Sequence, residues 1–450
     1  MVKNSTQKTP DVSLWSKATE LRKRILFTLG ILIIYRLGTY IPIPGIEPAV
    51  LKQLTSSYSS GLLGMFDLFS GGALGRMTIF ALNIIPYITA SIVMQLFVAI
   101  TPSLSELRKE GESGRKQINQ YTRYLTLLVC LVQAFGIAIS LEGLNTANTI
   151  VVMEPGWFFR LMTMVTLSAG TFFVLWIGEK ITERGIGNGV SLIIFAGIVA
   201  NLPFALATLF TLGEKGVLSV VFIIGILAMI VAVIYGIVYV ETAQRRVVVK
   251  YPKRQVGANQ QTMGDTSYLP LKINNAGVIP PIFASALLLI PTTLISFFST
   301  STSSSFLTDL ATYFGRGNIL YFVLYAVLIV FFAFFYVSFV FNPKETAENL
   351  KNSGGIVLGV RPGEETATYF ENLLKKLTVL GSIYLVIVVL LPEYFITKID
   401  IPFYLGGTSL LIVVSVTIDT ITQVQSHLMT YQYQNALQKN IFKKNKLSKK

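Results

Sequence analysis

A single histidine, His427, and a single cysteine, Cys130, are the chain's whole stock of imidazole and thiol. His427 falls beyond the last apolar run, so neither an H-E-x-x-H zinc site nor a Ser-His pair is available within the apolar segments. One thiol excludes a disulfide framework or a cysteine-based metal site within the chain, and Cys130, inside an apolar run, is expected to pack as a small apolar residue. The run Gly185-Ile186-Gly187-Asn188-Gly189 is spaced somewhat like a phosphate loop. No G-K-[ST] follows it, however, and a tight turn between two apolar segments explains it better. Acidic groups are scarce where ion coupling would need them, because Glu179, Glu241 and Asp419 fall toward the ends of apolar runs rather than their centres. These residues predict no catalytic site, no metal and no cofactor. An intramembrane enzyme is thereby disfavoured, and an ion-coupled secondary transporter with inverted repeats stays as the alternative reading.

The elements that position the remaining candidates are membrane spans. Hydrophobic residues make up 52% of the chain and charged ones 13%, a balance uncommon in soluble domains. Apolar runs long enough to cross a bilayer number ten, at roughly 25 to 41, 77 to 99, 124 to 141, 157 to 178, 190 to 212, 217 to 240, 277 to 298, 319 to 341, 377 to 391 and 406 to 422. The ninth is short and is expected to stop at Pro392-Glu393. Ahead of the second run, a half-helix is predicted from Leu62 to Leu74. At 1.5 Å per residue it would reach only ~20 Å, against a hydrocarbon core of ~30 Å. The Ser70-Gly71-Gly72 break at its end is tolerable at membrane depth only where protein or a water-filled cavity satisfies the backbone. A many-span protein with an internal cavity follows.

Orientation is set by the basic residues. Lys17, Arg22, Lys23 and Arg24 precede the first run, with no small-residue cleavage site after it, so the first span is expected to be retained. Of 37 Lys and Arg, about 30 lie in the N-terminal segment, in loops 101 to 123, 179 to 189, 241 to 276 and 342 to 376, and in the C-terminal tail. Both termini are then cytoplasmic, and the net charge of +14 belongs to a cytoplasmic face able to attract anionic membrane lipids or ribosomal RNA. Loop 241 to 276 carries Arg245, Arg246, Lys250, Lys253 and Arg254 around a β-favouring Val247 to Val249, and reads as a basic finger or a plain topology signal. Loop 342 to 376 displays Arg361 on the turn Gly359-Val360-Arg361-Pro362-Gly363, accessible to a partner. Arg36, near the outer end of the first span, reads as a headgroup or vestibule contact.

Four stretches, GGALGRMTIFALNIIPYITASIVMQL from Gly71, ITERGIGNGVSLIIFAGIV at 181 to 199, GVRPGEET at 359 to 366 and FYLGGTSLLIVV at 403 to 414, resemble the SecY family, channel subunits of the bacterial protein translocase. The resemblance runs from about Leu21 to Tyr433. It implies an all-α polytopic fold of ten transmembrane helices in two pseudo-symmetric inverted halves around an hourglass pore. A cytoplasmic segment 1–24 would precede a first half 25–212, a hinge 213–216, a second half 217–430 and a basic tail 431–450. It implies a protein-conducting channel of the bacterial cytoplasmic (inner) membrane that passes secretory polypeptides and releases transmembrane segments sideways into lipid. By similarity the pore ring maps onto Ile84 and Ile88, Ile186 and Val190, Ile282 and Ile412, the first two pairs at i and i+4; Val190 stands where an isoleucine is expected.

The same resemblance assigns 62–75 to a plug, with Met65, Phe66, Asp67, Leu68, Phe69, Ser70, Gly71 and Gly72 at its heart, although a fixed re-entrant loop fits those residues equally well. It assigns Thr89, Gln95 and Gln133, opposite Ala286 and Ile290 and the Pro280-Pro281 break, to a lateral gate; as plain interhelical glue they need no such role. Implied partners are the small membrane subunits SecE and SecG, the ATPase SecA, the ribosome, and signal peptides and nascent chains.

Overall fold

The computed structural model describes residues 19–47, 70–143, 145, 150–216, 219–251, 266–288, 318–399 and 406–447. Helix α1 (Thr19–Gly38) opens the first half, which continues with α2 (Ile85–Ile100), α3 (Pro102–Lys109), α4 (Glu112–Gly143), α5 (Trp157–Arg184) and α6 (Gly189–Glu214). The second half holds α7 (Val220–Thr242), strands β1 (Gln244–Lys250) and β2 (Thr266–Lys272), and α8 (Ile279–Leu288). After it come α9 (Ile319–Val340), α10 (Pro343–Asn352), β3 (Ile356–Val357), α11 (Glu364–Ile399) and α12 (Gly407–Leu447).

Seven of the described helical segments are long and apolar enough to cross a membrane, and they coincide with the third to sixth and eighth to tenth expected runs. The other three runs are present in altered form. The first becomes α1, which carries Arg22, Lys23, Arg24 and Arg36. The seventh begins as α8, whose continuation lies outside the described residues. The second is corrected: helix starts only at Ile85, and residues 71–84 form a succession of turns in which Met77 and Asn83 adopt positive φ. Ser70 is the last helical residue ahead of those turns, so the expected half-helix ends four residues before Leu74; its body, with Met65, Phe66, Asp67, Leu68 and Phe69, lies outside the described residues.

Neighbours supply the hydrogen bonds that residues 71–84 do not make among themselves. The Ile43 N–H donates to the Met77 carbonyl and the Ile79 N–H to the Ile41 carbonyl, both at 3.0 Å, making a short antiparallel bridge with the chain after α1. Phe80 is stacked between Tyr35 of α1, at 6.0 Å, and Phe173 of α5, at 5.8 Å. Gly38 and Gly170 permit this, since a Cβ on the first would enter the Phe80 ring and on the second would strike the Ile79 carbonyl.

Two further corrections concern the long loops and the last helices. The ninth run does not stop at Pro392: α11 starts at Glu364 and runs through the proline to Ile399. Proline denies the Val388 carbonyl its i−4 partner, and the start of α12 packs directly on that carbonyl through Gly407, where no Cβ would fit. The tail expected at 431 onward continues α12 as far as Leu447. The two long loops join in one antiparallel sheet of order β2-β1-β3, in which Val249 pairs with Val357 and Lys250 with Ile356. Val247 and Val249 turn inward onto Leu271, Val357 and Phe370, while Arg245, Arg246 and Lys250 stay exposed.

Candidate functional site

An apolar cavity of about 30 Å³ lies where the two halves meet, lined by Ile84, Ile85 and Ile88 at the start of α2, Ile194 of α6, Ile282 and Ala286 of α8, and Ile412 of α12, with Asn83 and Ser285 as its polar groups. A single water occupies about that volume in the liquid. These four helices belong to the second and fifth expected spans of each half, so both halves contribute equivalent elements to one constriction. Ile84 caps α2, and the Ile88 N–H donates to its carbonyl at 3.0 Å, which puts the two side chains one turn apart on one face.

Ile186 is corrected as a lining residue. It sits in the turn before α6, buried with Leu21 and Leu428, and its N–H donates to Thr28 Oγ1 at 3.1 Å. Helix α6 begins only after Asn188, whose Oδ1 accepts from the Val190 and Ser191 amides at 3.1 and 3.4 Å. Thus Ile186 and Val190 are not an i, i+4 pair on one helix; the helical pair is Val190 and Ile194, with Val190 packed just beyond the cavity wall. Sequence reasoning missed Ile194, although Asn188 ahead of an apolar run is the standard N-cap signal for where α6 starts. The phosphate-loop likeness also ends here, because the Gly187 N–H donates to Gln423 Oε1 at 2.8 Å and the Gly189 N–H to Thr182 Oγ1 at 2.9 Å. The amides of Ile186, Gly187 and Gly189 are all taken by side chains.

Two arginines converge on the Gly71 carbonyl. Arg36 Nη1 and Arg76 Nη2 both donate to the Gly71 carbonyl, at 2.7 and 3.0 Å. Both guanidinium carbons also lie over the Tyr40 ring, 5.3 and 4.3 Å from its centroid. Gly71, at φ 69°, rests against Gly197 of α6 with no room for a side chain. Arg36 thus holds the backbone at Gly71 and reaches Tyr40 Oη at 3.4 Å.

Of the candidate gate residues, Thr89 and Gln95 lie on α2, Gln133 on α4 and Ala286 on α8. Ile92 of α2 shares one apolar cluster with Phe283, Ala286 and Leu288 of α8 and with Tyr325 and Phe332 of α9. Thr89 is buried, but its hydroxyl donates to the Ile85 carbonyl of its own helix at 3.1 Å. Gln95 Nε2 donates to Ser91 at 3.2 Å, and the Oε1 atoms of Gln95 and Gln133 find no partner among the described residues. Ile290, Lys253 and Arg254 lie outside the described residues. Arg361 is exposed in the turn after β3, between Gly359 (φ 83°) and Gly363 (φ 114°), and Thr366 donates to its carbonyl at 2.7 Å. Cys130 is fully buried, its thiol 3.6 Å from Thr171 Oγ1.

An aliphatic constriction shared by two halves, with the non-helical backbone of 71–84 packed beside it, defines a polytopic membrane protein of the channel class. The SecY family profile matches residues 78–421. The protein translocase subunit SecY of Rickettsia bellii is 49% identical over 422 residues, covering 94% of this chain and 97% of that protein. Solved structures agree in fold: one of a protein-conducting channel superposes with a TM-score of 0.62 at 20% identity, covering 93% of this chain and 95% of that one. Sec61 in a canine ribosome–channel complex gives 0.59 at 19% identity over 93% and 95%. The chain belongs to the SecY family.

Proposed function

We propose that this chain is the protein-conducting channel of a bacterial translocase, held closed here, through which unfolded polypeptides cross the cytoplasmic membrane and from which apolar segments pass sideways into lipid. The observation that carries the reading is the constriction itself. A passage for any polypeptide must make no specific bonds yet stop hydrated ions when idle, and a narrow aliphatic ring does both by dewetting and deforming. In this reading Ile84, Ile88, Ile194, Ile282 and Ile412 are the ring with Val190 at its edge, and residues 62–75 are a plug tethered at Gly71. The seam between α2 and the α8–α9 pair is the lateral gate, flanked by Gln95, Gln133 and Ala286. Segment 213–216, where Gly216 takes φ 71°, is the hinge on the opposite side.

The chain has no catalytic role of its own in this account, so the driving energy comes from a partner. The basic, exposed faces at Arg245, Arg246, Lys250 and Arg361, with Lys253 and Arg254, suit docking by a SecA-type ATPase or a ribosome, as the ribosome-bound fold relative suggests. SecE- and SecG-type subunits complete the complex, and both termini are cytoplasmic. The cavity lining holds no carboxylate, so coupling-ion binding has less to support it. Purified channel reconstituted in vesicles with its ATPase tests the reading. Wild type should export a signal-bearing substrate without leaking ions, and Ile412→Asn should leak and accept defective signals, because a polar group lowers the cost of wetting the ring. If Ile412→Asn neither leaks nor relaxes selectivity, Ile412 does not line the path.

A further inference from the structure

Helix α3 leaves α2 through a 99° bend and packs against α2 and α4. Its last turn carries Arg108, which reaches outside its own half: Nη2 donates to the main-chain carbonyl of Phe339 at 2.6 Å, and the guanidinium carbon sits 3.7 Å from the centroid of the Phe339 ring. Phe339 lies in the final turn of α9, where the last four carbonyls have no partner within the helix and carry the negative end of its dipole. A cation of the first half thus caps a helix of the second. Arg108 is half-buried, with Glu345 of α10 attracting its charge and Arg115 of α4 opposing it.

The contacts along the rest of that seam are of another kind. Ile92 shares one apolar cluster with Phe283, Ala286 and Leu288, and such packing has no directional preference and can be exchanged for contact with an entering apolar segment at little net cost. The Arg108 bond is directional, and an apolar segment offers nothing to replace it. We propose that Arg108 is the cytoplasmic clasp of the seam and a specificity-determining residue, whose bond to α9 must break before the seam parts and which therefore sets how apolar a segment must be to open it. The inference rests on the channel reading above, and adds to it a stringency device outside ring and plug.

Charge-assisted hydrogen bonds and cation–π contacts together weigh enough to shift a gating equilibrium about tenfold, or ~1.4 kcal/mol. The test measures export of two substrates into vesicles, one with an intact signal sequence and one whose signal core has lost apolar residues, as the ratio defective to intact. Arg108→Gln should raise that ratio about tenfold with intact export unchanged. Phe339→Leu, which keeps the carbonyl and removes the ring, should raise it severalfold. The double variant should match Arg108→Gln alone, because one contact cannot be lost twice. Lys109→Gln, on the exposed neighbour, should leave the ratio at the wild-type value. The clasp is overturned if Arg108→Gln and Phe339→Leu, each inserted with the wild-type protease pattern, keep the wild-type ratio, or if their effects add. Wild-type channel that exports neither substrate would remove the channel reading, and the clasp with it.

Discussion

Ile194 and Ile186 share a side chain and, eight residues apart, meet different surroundings. Ile194 faces the constriction between the halves, whereas Ile186, in the turn before α6, is packed with Leu21 and Leu428. Ile194→Asn should therefore raise ion conductance through planar bilayers about tenfold, by wetting a ring that otherwise excludes water. Ile186→Asn should leave conductance alone and lower the detergent-state melting temperature, since it buries an unpaired amide and loses apolar contact at a cost of ~3 kcal/mol. Leak from Ile186→Asn with none from Ile194→Asn would reverse the assignment. The difference between the two was partly legible in the sequence. Resemblance alone carried Ile84, Ile88, Ile282 and Ile412 to the cavity, but the helix start had to be read from the Asn188 cap and the left-handed Gly187 (φ 87°). A spacing rule applied across that turn places Ile186 on a helix it does not join.

At the scale of elements, apolar run length located the spans well because bilayer thickness fixes it. It failed where something other than the bilayer decides the ends. Helix α11 begins in polar sequence, its Glu371–Lys375 ion pair at 2.8 Å lying outside any apolar run, and it continues through Pro392 with Gly407 packed on the freed Val388 carbonyl. Strand β3 has two residues and exists only by pairing with β1, so no local signal announces it. The turns at 71–84 are the sharpest case, since what local bonds such as Met77 N–H to Leu74 and Thr78 N–H to Ala73 leave open is met from a distance, by the loop after α1 and by Arg36, with Arg76 joining it on Gly71. Replacing both arginines with glutamine should raise amide hydrogen exchange across residues 71–78 at least tenfold. Each single replacement should do less, because the remaining guanidinium still holds Gly71. Equal exchange in the double variant and wild type would mean that the arginines do not secure this segment.

The whole molecule is unequal around its circumference. On one side α12 packs into the core of the first half, with Ile412 and Val416 among α5 and α6 residues, and the Gly187–Gln423 bond adds a polar tie. On the other, α2 and α8 share an apolar cluster, and Arg108 adds a polar tie to α9. Chain order matters to how such a body is assembled. Residues 71–84 are clamped between α1, made before them, and α5, made after them. During synthesis at 5–20 residues per second, the backbone at Ile79 waits roughly 5–18 s for Gly170 to arrive about 90 residues later. For that interval its carbonyls lack their final seat, so it cannot settle in lipid and must rest in water or against a chaperoning surface. Ribosome-arrested chains ending before Trp157 should expose the 71–84 segment to protease in membranes, and chains extended past Arg184 should protect it; protection already complete in the shorter chains would show that the segment is seated without α5.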